Sequence, residues 1–165
     1  LLPVLHTIKQ LASLGTAQVR DAIFALSSAE VSKDGLINRL QALIRDLLEI
    51  SSIEADLVVP EWAVDPPAHV EQTLFTIAQE ALSNVRRHAF ASTVVVTVHV
   101  THERAVLVVQ DDGIGISPQT LQTYSYNSVH LGLRGMQRRV EDLAGRFTLV
   151  NGEEGGVIVK AVIPL

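Results

Sequence analysis

The sequence predicts an α/β domain, a two-layer sandwich of helices on a sheet, with a separate helix in front of it. Three observations carry this. Residues 5–26, 36–50 and 67–90 place apolar side chains at steps of three and four, the period of a helix with one buried face. Residues 92–100 are a run rich in β-branched residues, and further strand-like runs follow at 105–110, 146–150 and 157–165. Helices before and between several strands bury both sets of apolar faces by stacking as two layers.

Composition agrees with one packed domain plus an appendage. The chain has 165 residues, 47% of them hydrophobic, so a core is available and disorder is disfavoured. A chain of this size buries about 70% of its unfolded surface. The net charge of −5 argues against a general nucleic-acid surface, although "RRH" and "RGMQRR" are short basic groups. No cysteine is present, which excludes disulfides, thiolate zinc sites and cysteine nucleophiles and fits a reducing compartment. No apolar run approaches the ~20 residues that span a bilayer. The opening "LLPVLH" is neither an initiator nor a signal-peptide pattern. The chain is expected to be a fragment, with any sensor or membrane segment upstream of it.

In order, the first helix carries its stripe on Leu5, Ile8, Ala12, Val19, Ala22, Ile23 and Leu26. Gly15 weakens it by roughly 1 kcal/mol relative to Ala. Its length suits one arm of an intermolecular bundle. "SSAEVSKDG" breaks the pattern near Ser28. The second helix, 36–50, shows Leu36, Leu40, Leu43, Ile44, Leu47 and Leu48 on one face. "ADLVVP" reads as a short strand and "EWAVDPP" as a loop. Asp65 can cap the next helix, with Pro66 or Pro67 in its first turn. That helix is expected to reach about residue 90, burying Val70, Leu74, Ile77, Ala81 and Val85. "THER" reads as a hairpin turn. Residues 133–144 form the last helix, ended by Gly145.

Two polar features stand apart from the core pattern. Glu80, Asn84 and His88 recur every fourth residue on one helix face, with Arg87 beside Asn84. A solvated face would show the same spacing. As a site, its oxygen donors suit Mg²⁺ and Arg87 suits phosphate. The second feature is glycine. Eight of the ten glycines follow Gln110, and Gly113/Gly115 and Gly132/Gly135 bracket a polar segment, 117–130, with no period. Glycines permit close backbone approach, and glycines at both ends of a long loop suit a lid.

Taken together and in this order, these features resemble a known superfamily. "EALSNVRRHA" is similar to the N box of the ATP-binding domains shared by gyrase, Hsp90, MutL and sensor histidine kinases. "DDGIGI" resembles the first glycine box and "HLGLRGMQRRVEDLAGRFTL" the second. The wording G-L-x-G-M-x-x-R-V, with "HA" closing the N box, points to the two-component histidine kinases typified by the nitrate sensor and the membrane-fluidity sensor of bacilli. The likeness covers about 31–165.

The resemblance implies a Bergerat-type ATP-binding fold over 29–165. It also implies that 1–28 is part of a dimerisation and phosphotransfer hairpin, of which "VRDAIFALS" resembles the end of the second helix. The implied activity is histidine autokinase, donating the γ-phosphate of ATP to a histidine outside this fragment for relay to a response regulator. The implied cofactors are ATP and Mg²⁺. Asp111 would accept a hydrogen bond from the adenine amine. Gly113 and Gly115 would let the chain pass the base, and Asp112 would sit at the rim. Asn84 would ligate Mg²⁺ and Glu80 would orient water or the metal shell. Arg87 and His88 would approach the phosphates. Gly132, Leu133 and Gly135 would receive them at a helix N-terminus. The implied partners are a second copy, through the bundle, and the response regulator, with no nucleic acid. The domain would be cytoplasmic, with any membrane anchor upstream. In many relatives a Thr supports the adenine-binding Asp; here "GGVIV" puts Val157 there. His6 is followed by Thr7 rather than an acidic residue, so it is expected to be a bundle or surface residue. The alternatives are a nucleotide-gated interaction module with a degenerate site, a gyrase- or MutL-like ATPase, or a serine kinase. Retained Glu80, Asn84 and Asp111 argue against degeneracy.

Overall fold

The structure, a computed structural model, describes residues 35–125 and 131–165. The expected bundle helix, its boundary near Ser28, His6, and lid residues Val129 and His130 lie outside the described residues. The side chain of Leu48 does so too.

Five strands form one mixed sheet in the order β1-β2-β3-β5-β4. They are β1 (Glu54–Val58), β2 (Thr93–Val100), β3 (Arg104–Asp111), β4 (Arg146–Asn151) and β5 (Val157–Pro164). β1 runs parallel to β2, with Glu54 opposite Thr93; the other pairs are antiparallel. The helices are α1 (Leu36–Ile50), α2 (Ala68–Asn84), α3 (Pro118–Thr123) and α4 (Leu131–Glu141). A two-layer α/β fold is what the sequence predicts, and the register explains it. Val94, Val96, Val98 and Val100 of β2 are buried, as are Ala105, Leu107 and Val109 of β3. Alternate residues face the helices because strand side chains have a period of two. α1 buries Leu36, Leu40, Ile44 and Leu47. α2 buries its expected stripe, Val70, Leu74, Ile77 and Ala81, with Val85 in the turn that follows. Each fully buried leucine or isoleucine contributes about 1.5–3 kcal/mol.

Three local expectations are corrected. Asp65 does not cap α2. Its carboxylate accepts from the Trp62 indole N–H at 2.8 Å, and Pro67 occupies the cap position, extended at ψ 147°. The residue before a proline is pushed out of the helical region, so Pro66 and Pro67 delay the helix to Ala68, beyond Asp65's reach. The end of α2 also differs. The helix does not continue as α-helix to residue 90 but widens at Val85–Ala89 into one π turn, then stops at Phe90 with φ 51°. Finally, the segment after residue 116 starts with structure. The Ser117 hydroxyl caps α3, accepting from the Thr120 N–H at 3.1 Å. Leu121 and Tyr124 pack on the core, and the Tyr124 ring meets Phe147 edge-on at 6.4 Å. Six residues are too few to show a period, which is why none was legible.

Candidate functional site: a carboxylate at the end of a central strand

β3 carries Asp111 at its C-terminal end, and Asp111 is buried at 6% exposure amid an otherwise apolar core. The strand pattern forces this: Ala105, Leu107, Val109 and Asp111 share the helix-facing side. Its Oδ1 accepts from the Gly113 N–H at 2.8 Å. Burial pushes the carboxyl above its ordinary pKa, the N–H groups of Gly113 and Val157 draw it back, and Asp112 pushes it up again. Val157, where the sequence has no hydroxyl to offer, thus still favours the charged carboxyl through its backbone N–H.

The chain that follows, 112–116, is strapped down at almost every residue. Asp112 is exposed, and its Oδ1 accepts from the Ser92 and Thr93 N–H groups at 2.8 and 2.9 Å. Those groups, Thr93 foremost, hold its carboxyl below the usual range. It therefore pins the start of β2. Gly113 passes so close to the end of the π turn that a Cβ would strike the Ala89 carbonyl. That same carbonyl accepts from the Ile114 N–H at 2.8 Å. The Gly113 carbonyl accepts from the Gly156 N–H at 2.7 Å, and Gly156, at φ 70°, lies where a Cβ would strike the Asp111 backbone carbonyl. The tip joining β4 and β5 is thereby closed onto the strand end.

These contacts join the two sequence features. The π turn that ends α2 lies against the glycine strap. Glu80 and Asn84, one helical turn apart on α2, are half-buried. A Cβ on Gly132, the second residue of α4, would collide with the Glu80 carboxylate, so the second glycine box begins beside the N-box helix. Leu133 packs on the core. Gly135 lies one turn further along α4, its carbonyl accepting from the Arg139 guanidinium at 3.4 Å. Arg87 and His88 sit on the π turn and are exposed. The π turn breaks the every-fourth-residue row, which holds from Glu80 to Asn84 and not on to His88. Extra-residue turns of this kind are frequent at functional sites. The structure thus sets Gly132 against Glu80, and Asp111 and Gly113 against the end of the turn bearing Arg87 and His88. Sequence reasoning missed the role of Asp112 as a β2 clasp, and it missed Asn151, whose side chain bonds the Ile116 backbone. The one available signal for Asp112 was the polar pair Ser92–Thr93 opening the facing strand.

The raised pKa of Asp111 has a pH consequence of definite sign. The folded state holds the proton to higher pH than the unfolded state does. Stability contributed by this group is therefore full below the unfolded value and falls as pH rises through the folded one. Affinity for a hydrogen-bond donor runs oppositely and weakens as pH falls through the same window. Carboxyl carbon shifts followed by NMR should show Asp111 titrating above, and Asp112 below, an ordinary aspartate. The reverse order would contradict this burial.

The fold and this strand-end site define the class. Residues 69–165 match the histidine kinase-, DNA gyrase B- and HSP90-like ATPase family, and the chain belongs to it, an ATP-binding catalytic domain. Its relatives are sensor kinases. The signal transduction histidine-protein kinase/phosphatase DegS of Brevibacillus brevis is 29% identical over 98% of this chain and 40% of its own length. The nitrate/nitrite sensor protein NarX of Escherichia coli K12 is 37% identical over 68% of this chain and 18% of its own. The chain thus spans less than half the length of these curated relatives. The histidine kinase domain of the blue-light activated histidine kinase from Erythrobacter litoralis EL346 superposes with a TM-score of 0.59 at 24% identity, over 76% of this chain and 57% of that one. That likeness is one of fold. Among the described residues no helix is long and apolar enough to cross a membrane.

Proposed function

We propose that this chain is the part of a two-component sensor histidine kinase that binds Mg²⁺-ATP and donates its γ-phosphate to a histidine, for relay to a response regulator. The observation that carries the reading is Asp111, a buried carboxylate with Oδ1 fixed by the Gly113 N–H. Its other oxygen is then the acceptor for the adenine amine. Gly113 and Gly115 frame the base. Asn84 and Glu80 fit Mg²⁺, since they present oxygens one turn apart on a single helix, and a hard cation takes oxygen donors. When bound, Mg²⁺ neutralises charge on the phosphates. Asn84 would hold it, and Glu80 would orient the water around it. Arg87 and His88 meet the phosphates from the π turn, and the first turn of α4, with Gly132, Leu133 and Gly135, offers its free N–H groups. These groups act by positioning and by stabilising charge, which is most of what phosphoryl transfer asks of a protein. The acceptor is none of the six histidines of residues 1–165, and residues 1–28 are part of the hairpin through which the protein forms a homodimer. The catalytic part faces the cytoplasm.

The test is phosphorylation of the protein carrying its upstream segments, using γ-labelled ATP. Acid-labile, alkali-stable phosphate on a histidine is expected, and its loss in Asn84→Ala. Label that resists acid, as on serine, would contradict the reading.

A further inference from the structure

Asn151 closes β4 and belongs to none of the three boxes. Its side-chain amide spends both its groups on one residue. Oδ1 accepts from the Ile116 N–H at 2.8 Å, and Nδ2 donates to the Ile116 carbonyl at 2.8 Å. The amide pairs with Ile116 much as a neighbouring strand would. Gly115 makes room for it. At φ 77°, a Cβ on residue 115 would lie 3.0 Å from Asn151 Oδ1. The second glycine of "DDGIGI" thus serves a left-handed turn and this amide at once.

We propose that Asn151 is a positioning residue of the nucleotide site. This rests on the ATP reading above. Asn151 holds the trailing end of the strap whose leading end, the Gly113 N–H, orients the Asp111 carboxylate. Gly113 and Ile114 are fixed by Gly156 and Ala89 through backbone bonds. Asn151 fixes Ile116, where the chain turns into Ser117 and α3. Without it the strap is held by its head alone, and motion of the segment entering α3 is passed back along the strap to the Gly113 N–H and the carboxylate that it orients. Asn151 is itself exposed, so truncating it removes no core.

The test is a double-mutant cycle on the whole chain with a nonhydrolysable ATP analogue and with adenosine. Asn151→Ala should weaken both ligands by a similar factor, about tenfold, because the effect passes through the base-reading carboxylate and not through phosphate contacts. Amide exchange at Ile116 should quicken, with the melting temperature little changed. Asn151→Asp keeps the acceptor and loses the donor, and should behave like the alanine variant. In an Asp111→Asn background, Asn151→Ala should cost little more. Unchanged affinity in Asn151→Ala despite faster Ile116 exchange overturns the proposal. So does a full tenfold loss added on top of Asp111→Asn. Wild-type protein that binds neither ligand overturns the ATP reading of the site instead, and the wild-type titration alone separates that failure from the others.

Discussion

Asp111→Asn should weaken binding of an ATP analogue about 10- to 150-fold while the domain stays folded. The side chain is buried with Oδ1 committed to the Gly113 N–H. An asparagine there must keep its oxygen on Gly113, which turns its NH₂ toward the position proposed for the adenine amine. A donor then faces a donor. Losing a hydrogen bond to a charged group costs about 1.5–3 kcal/mol, which is the stated range in affinity. The same substitution removes a buried carboxyl of raised pKa, so the fall in stability with rising pH that this group causes should vanish with it. Titration of a fluorescent analogue checks the affinity, and a guanine analogue losing as much as the adenine one would remove Asp111 from base reading.

Asn84→Ala is expected to have the second large effect, on metal-dependent steps alone. Asn84 ends α2 and sits one turn beyond Glu80. Removing its amide oxygen takes away the proposed Mg²⁺ ligand without touching the Asp111 end of the site. Binding measured with Mg²⁺ should fall about 10- to 100-fold, and phosphotransfer with it, while binding in excess chelator stays near wild type. Asn84→Asp retains an oxygen and should recover part of the metal dependence. Equal losses with and without Mg²⁺ would take Asn84 out of the metal's coordination.

The regular parts of this domain were legible because period and burial coincide. The stripe Val70–Leu74–Ile77–Ala81 states which face is buried, and the β-branched run at 92–100 states a strand whose buried residues prove to be Val94, Val96, Val98 and Val100. Asp111 was legible through its motif, a carboxylate before Gly113 and Gly115 at a strand end, and its phase with the buried face of β3 is what the structure adds. What the sequence could not show depends on chain that is far away in number. The π turn at Val85–Ala89 has a composition no different from an α-helix end. Its carbonyl at Ala89 finds a donor in Ile114, 25 positions later. Asn151 meets Ile116 across 35 positions. The glycines were read as making space for a ligand. The nearest claims on that space are the chain's own, Ala89 at Gly113, Asn151 at Gly115 and Glu80 at Gly132. Single-position motifs mark where backbone must come close, and only the fold says to what.

In the proposed function the end of α2, the strap after β3 and the start of α4 form one nucleotide site. Backbone amide shifts, followed by NMR as a Mg²⁺-bound nonhydrolysable ATP analogue is added, test it most directly. The largest changes are expected at Asn84–Ala89, Asp111–Ile116 and Gly132–Gly135, saturating together at one affinity, with β1 and α1 unmoved. Changes confined to other surfaces, or three groups that saturate at different concentrations, would contradict it.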